Sequence, residues 1–170
     1  MMKKTALLAI LSASLGFADT FSAGSRSIGI TIGSGSVSYS GGATIGTDVE
    51  YYYIAGVSGD YFIADGLSVG AGYRGWFGGT PRIHQATIPV TYYMPTQSRF
   101  RPYLGGFYRY TYIGDKGYDN YNSAGGRFGL AIRYQNGYAG FGWVQEVYFG
   151  RDNVNDRTSG YPEAVIGIGF

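Results

Sequence analysis

The chain has 170 residues, which fits one domain, and it has no cysteine, so disulfides, Cys-ligated zinc and lipoprotein acylation are excluded. Charged residues make up only 14%, against roughly 25% in an average soluble domain. Aromatics reach 18%, with 18 Tyr, and there are 30 Gly. A mean hydropathy of −0.07 excludes a bundle of apolar transmembrane helices.

At the N-terminus Lys3 and Lys4 precede an apolar run over residues 6–15. Small residues at Gly16 and Ala18 then place a cleavage site before Asp19. The run is far shorter than the ~20 residues of a spanning helix. Residues 1–18 are therefore read as a secretory signal peptide and residues 19–170 as the mature domain. With Lys3 and Lys4 removed, basic and acidic residues balance. No basic patch of the kind that nucleic acid demands is evident.

Beyond Asp19 the pattern has a period of two, the signature of half-buried strands. Residues 27–38 open the series, with Ile28, Ile30 and Ile32 on one face; the Gly/Ser stretch over 34–42 reads as a loop or frayed end. The second strand, over 45–63, alternates Val49, Tyr51, Tyr53, Val57, Tyr61 and Ile63 against Glu50, Tyr52, Ile54 and Asp60. A tight turn at Ala64-Asp65-Gly66 leads into the third, where Leu67, Val69, Tyr73 and Phe77 oppose Ser68, Arg74 and Trp76. The fourth, over 83–94, sets Ile88, Val90, Tyr92 and Met94 against Thr87, Thr91 and Tyr93. Pro89 within it cannot donate to a ladder.

After a turn at 95–99, Leu104, Tyr108, Tyr110 and Tyr112 oppose Tyr103, Phe107, Arg109 and Thr111. Residues 114–124 are polar and read as a loop. The sixth strand alternates Phe128, Leu130, Ile132 and Tyr134 with Arg127, Gly129, Ala131 and Arg133. Asn136-Gly137 then signals a type I′ hairpin, in which both residues take positive φ. The seventh alternates Phe141, Trp143, Val147 and Phe149 with Gly142, Val144, Glu146 and Tyr148. A polar loop over 150–160 precedes the eighth, which carries Ala164, Ile166, Ile168 and Phe170 on one face.

Eight strands whose short turns alternate with longer connections predict an all-β, antiparallel, up-and-down transmembrane barrel with both termini on the periplasmic side. A soluble secreted barrel shows the same alternation turned inside out, and the charges decide between the two. Glu50, Asp60, Arg74, Arg109, Arg127, Arg133, Glu146 and Glu163 all fall on the less apolar face. Arginine forks pair bidentately with carboxylates and suit ion pairs withdrawn from water. On a lipid-facing surface the same charges cost roughly 2–4 kcal/mol each at the midplane. The eight residues are accordingly read as a polar network filling the lumen. A narrow or gated path for small solutes is the open alternative, since eight strands leave an interior just wide enough for side chains.

The segment Tyr61-Phe62-Ile63-Ala64-Asp65-Gly66-Leu67-Ser68-Val69-Gly70 resembles the periplasmic hairpin of small outer-membrane barrels of the outer membrane protein X and opacity group. Arg101-Pro102-Tyr103-Leu104-Gly105-Gly106 is similar to the strand opening that follows in those proteins. Residues 161–170, alternating into a terminal Phe170, look like the signal read by the barrel-assembly machinery, with Pro162 departing from the large hydrophobe usual there. The resemblance implies a non-enzymatic surface protein of the bacterial outer membrane, contributing to envelope integrity or adhesion through its extracellular loops. The alternative is a small-solute channel that resembles the outer membrane protein W group, whose barrels pass small hydrophobic molecules through a lateral opening, with Pro89 breaking pairing locally on the fourth strand.

His84 is the single histidine, and its context His84-Gln85-Ala86 lacks the His-x-Ser of lipid A deacylases. It is read as an exposed loop-edge residue, and no catalytic residue and no cofactor is expected. Asp115, Asp119, Asp152 and Asp156 lack the spacing of a calcium loop. The tyrosines are read as interfacial girdles. Expected partners are outer-membrane lipid, lipopolysaccharide and a host or other extracellular surface, and a monomer is expected.

Overall fold

The structure, a computed structural model, describes residues 20–40, 47–114, 119–149 and 158–170. The proposed leader and parts of three long connections lie outside them. Eight strands follow in order: β1 (Arg26–Ser40), β2 (Thr47–Ala64), β3 (Leu67–Phe77), β4 (Ile83–Tyr93), β5 (Phe100–Ile113), β6 (Tyr121–Tyr134), β7 (Gly137–Phe149) and β8 (Thr158–Gly169). Each pairs antiparallel with its sequence neighbours, and β8 returns to β1, so the sheet closes into a barrel.

Closure pairs the first strand with the last over Ser27–Ile32, so over that stretch no sheet edge is left to hydrocarbon. The two faces then separate by residue type. Outward positions carry Ile30, Tyr53, Ile88, Phe128 and Phe141, each more than half exposed. Inward positions carry Tyr52, Phe62, Ser68, Thr111, Ser123 and Glu146, each at 1% or less. A water-soluble fold does not leave so continuous an apolar belt uncovered. The fold is thus an eight-stranded, antiparallel, up-and-down transmembrane barrel.

Four sequence expectations need correction. Residues 34–40 continue β1 instead of looping, because β2 supplies partners as far as Ser40↔Thr47. The loops expected over 114–124 and 150–160 are shorter, because β6 begins at Tyr121 opposite Thr111 and β8 at Thr158 opposite Val147. The hairpin after β6 turns on Gln135 and Asn136, and Gly137 is already paired with Tyr134. Gly137 is not among the positive-φ glycines. It is glycine because any Cβ there would collide with the Gly167 carbonyl oxygen. The fourth correction concerns His84, which belongs to β4 and not to a loop edge. Pro89 has the effect foreseen for it. Between Val69↔Val90 and Gly72↔Thr87 the β3–β4 pairing lapses without a shift of register.

Candidate functional site in the barrel lumen

Strand periodicity sends one residue in two inward, so six strands contribute to a single polar core. Arg109 (β5) donates from Nη1 to Glu146 Oε2 (β7) at 2.5 Å, from the same nitrogen to the Tyr161 hydroxyl at 2.9 Å, and from Nε to Thr87 Oγ1 at 3.0 Å. Ser123 Oγ donates to the other carboxylate oxygen, Oε1, at 2.5 Å. Arg74 (β3) joins this group through Nη2, which donates to the Tyr161 hydroxyl at 2.8 Å, and its Nε donates to Gln85 Oε1 at 2.7 Å. Gln85 also accepts from Trp76 Nε1 at 3.0 Å and donates to Thr111 Oγ1 at 3.2 Å. Arg109 and Glu146 are both buried. Charges withdrawn from water in this way persist only when paired and hydrogen-bonded.

A second cluster lies nearer the end that carries the termini. Arg127 Nη2 meets Glu163 Oε1 at 2.8 Å, and the Tyr103 hydroxyl donates to the same oxygen at 3.2 Å. The Arg127 guanidinium also stands over the Tyr103 ring, 5.3 Å from its centroid. Between the clusters is an internal cavity of about 70 Å³ bordered by Asp60, Arg74, Arg109, Arg127 and Glu163. That is far below the roughly 300–1,000 Å³ of a small-molecule pocket.

The two clusters account for five of the eight charges expected inside: Arg74, Arg109 and Glu146 in one, Arg127 and Glu163 in the other. Asp60 borders the cavity without joining either ion pair. Arg133 is half-buried at the end of β6, opposite Tyr138. The side chain of Glu50 lies outside the described residues; its backbone pairs with Val37. Phe170 exchanges backbone hydrogen bonds with Arg26, each at 2.9 Å, and so helps to close the barrel. His84 sits on the outer wall, where the Tyr73 hydroxyl and its Nδ1 are 2.6 Å apart and Tyr112 flanks its other side.

Gln85, Tyr161 and buried Arg101 also face inward and were not foreseen, and neither was Phe21. Phe21, ahead of β1, is inserted into the mouth at the terminus-bearing end and is 1% exposed. Its ring lies 4.6 Å from Tyr93, 5.3 Å from Tyr138 and 5.7 Å from Phe62, and Arg101 covers it at 5.0 Å. Two backbone bonds and one to a side chain hold the segment: Gly66 N–H to the Phe21 carbonyl at 2.7 Å, Gly24 N–H to the Phe62 carbonyl at 2.8 Å, and Ala23 N–H to Asp65 Oδ1 at 2.8 Å. Positive φ at Gly24 permits the bend into β1. A lone aromatic ahead of the first alternating run carries no periodic signal.

No family model matches the chain, and no curated protein matches it in sequence. Solved structures do. The N-terminal β-barrel domain of Pseudomonas aeruginosa OprF shares 14% identity over 87% of this chain and 98% of that one, with a TM-score of 0.55. Neisserial surface protein A shares 15% identity over 85% of this chain and 94% of that one, with a TM-score of 0.56. At such identities the likeness is one of architecture, and the chain has the fold of a small eight-stranded outer-membrane barrel.

Proposed function

We propose that this chain is a non-enzymatic barrel of the bacterial outer membrane, exported behind residues 1–18, with both termini periplasmic and its work done at the cell surface. That work is envelope integrity or adhesion through the connections at the end opposite the termini. Its partners are outer-membrane lipid and lipopolysaccharide, with an extracellular or host surface beyond. Phe170 serves as the signal for the assembly machinery, and the barrel acts as a monomer. The observation that carries the reading is the closure of the lumen by the Arg109–Glu146–Tyr161–Arg74 group, which joins strands across the interior. Phe21 and its ring partners obstruct the same path a second time.

Planar-bilayer recording of purified protein tests this. A silent bilayer is expected. Discrete openings that vanish on altering Arg74 or Arg109 would favour the narrow-channel reading instead. The non-enzymatic reading is supported by the position of His84, which faces outward between Tyr73 and Tyr112 and away from the lumen carboxylates. Overexpression is expected to leave the lipid A mass spectrum unchanged. A new lipid A species that disappears with His84→Ala would contradict it.

A further inference from the structure

The barrel wall is incomplete at one seam. β1 and β8 pair from Ser27↔Gly169 to Ile32↔Ala164, and there the pairing stops. Yet β1 continues to Ser40 against β2, and β8 reaches back to Thr158 against β7. Beyond Ile32 two strand edges therefore stand side by side without a ladder. Pro162 lies on one of them, the setting in which a strand tolerates proline. A cavity of about 240 Å³ opens at this point, bordered by inward-facing Arg74, Trp76, Tyr161 and Glu163, the last already paired with Arg127, and by outward-facing Ile32 and Pro162. With no ladder between the two edges beyond Ile32↔Ala164, and residues of both faces bordering one space, the space opens through the wall.

Charge identifies what this slot accepts. Arg109 and Arg127 each face a glutamate, whereas Arg74 is held by neutral Gln85 and Tyr161 and has no ion pair among the described residues. Its Nη1 makes no bond to a described residue. Asp60 pairs with Gly70, four residues along β3 from Arg74, which places it about 13 Å away along the strand at ~3.3 Å per residue. Outside the slot, Ile30, Ile32 and Ile166 form an aliphatic surface more than half exposed. The volume is below the roughly 300 Å³ that encloses a whole small ligand. It suits a headgroup whose chain remains outside.

We infer that the β1–β8 slot is a binding site for an anionic lipid of the surrounding bilayer. Arg74 takes the headgroup phosphate, and one acyl chain lies out through the seam over Ile32. The inference rests on the reading that the barrel spans a membrane. A guanidinium fork matches phosphate geometry, and a charge-assisted bond in a wall of low dielectric gives the preference for an anionic headgroup.

The two tryptophans make the test direct. Trp143→Phe leaves only Trp76, inside the slot, and Trp76→Phe leaves only Trp143, on the outer wall of β7. Each protein is reconstituted in phosphatidylcholine vesicles doped with acyl-brominated phosphatidylglycerol or acyl-brominated phosphatidylcholine. Trp143 is expected to be quenched by both lipids; if it is quenched by neither, the membrane reading itself fails. Trp76 is expected to be quenched roughly tenfold more effectively by the anionic lipid, the ratio that one hydrogen bond to a charged group supplies. Arg74→Gln should abolish that preference while Trp143 quenching persists. Gly33→Phe should abolish Trp76 quenching by both lipids, because a side chain there grows into the slot with Ile54 Cβ, 3.9 Å off, as its nearest obstacle. A quenched Trp143 with Trp76 shielded from both lipids, as an inserted peptide strand would produce, overturns the slot proposal alone. So does equal quenching of Trp76 by both lipids.

Discussion

Arg109 and Glu146 are 37 residues apart in sequence and 2.5 Å apart across the lumen, buried together between β5 and β7. Removing one partner strands a charge that water does not reach, at a cost of roughly 3–5 kcal/mol. Replacing both partners by apolar residues of similar size avoids that cost. Arg109→Leu alone should therefore lower the urea unfolding midpoint in lipid vesicles more than Arg109→Leu combined with Glu146→Leu. A double variant weaker than either single one would show that the pair holds the barrel together by attraction alone.

Phe21 closes the lumen in series with the Arg109 group, and the two obstructions separate by experiment. Phe21→Ala leaves a void among Phe62, Tyr93 and Tyr138 and should cost about 3–5 kcal/mol of stability. It should nevertheless leave planar bilayers silent, because the polar group still blocks the path. Openings are expected only when Phe21→Ala is combined with Glu146→Ala.

Gly142 lies beneath the Tyr103 ring, where a Cβ would collide with the Tyr103 hydroxyl and the Phe128 carbonyl oxygen. The backbone oxygen cannot retreat without breaking the β6–β7 ladder. Gly142→Val should therefore prevent recovery of the compact form in a heat-modifiability gel. Gly106→Ala, with no atom nearer than 3.6 Å to its Cβ, should refold like the parent.

Ile88 faces outward near the middle of β4 and is 59% exposed. Ile88→Arg should cost roughly 2–4 kcal/mol in a bilayer, the penalty for a cation at the midplane. Ile88→Leu should be neutral by the same urea titration in vesicles.

The assignment of residues to the two faces was legible from alternation, because one strand with period two needs no knowledge of its neighbours. Arg74, Arg109, Arg127, Glu146 and Glu163 all lie inside as expected, and Tyr108, Phe128 and Ile166 outside. Features that depend on partners were not legible. Residues 34–40 are mostly serine and glycine, with only Val37 and Tyr39 favouring a strand, and β2 runs beside them to Ser40. Gly137 matched a turn motif, yet it serves a close approach to Gly167. Which arginine meets which acid depends on the stagger of eight strands, and so does the gap at the β1–β8 seam. Phe21 has no period to betray it, because six residues of turn do not alternate.

In the membrane, the tyrosine and aliphatic face meets acyl chains while the charged face meets the barrel axis. The chain has no cysteine, so single nitroxide labels from residue 103 to 110 on β5 report the two faces separately in vesicles. Labels at 104, 108 and 110 should collide freely with oxygen and poorly with a water-soluble nickel chelate, while those at 103, 107 and 109 are shielded from both. Ready access of the nickel chelate to 104, 108 and 110 would mean that this face meets water, and the membrane account would be wrong.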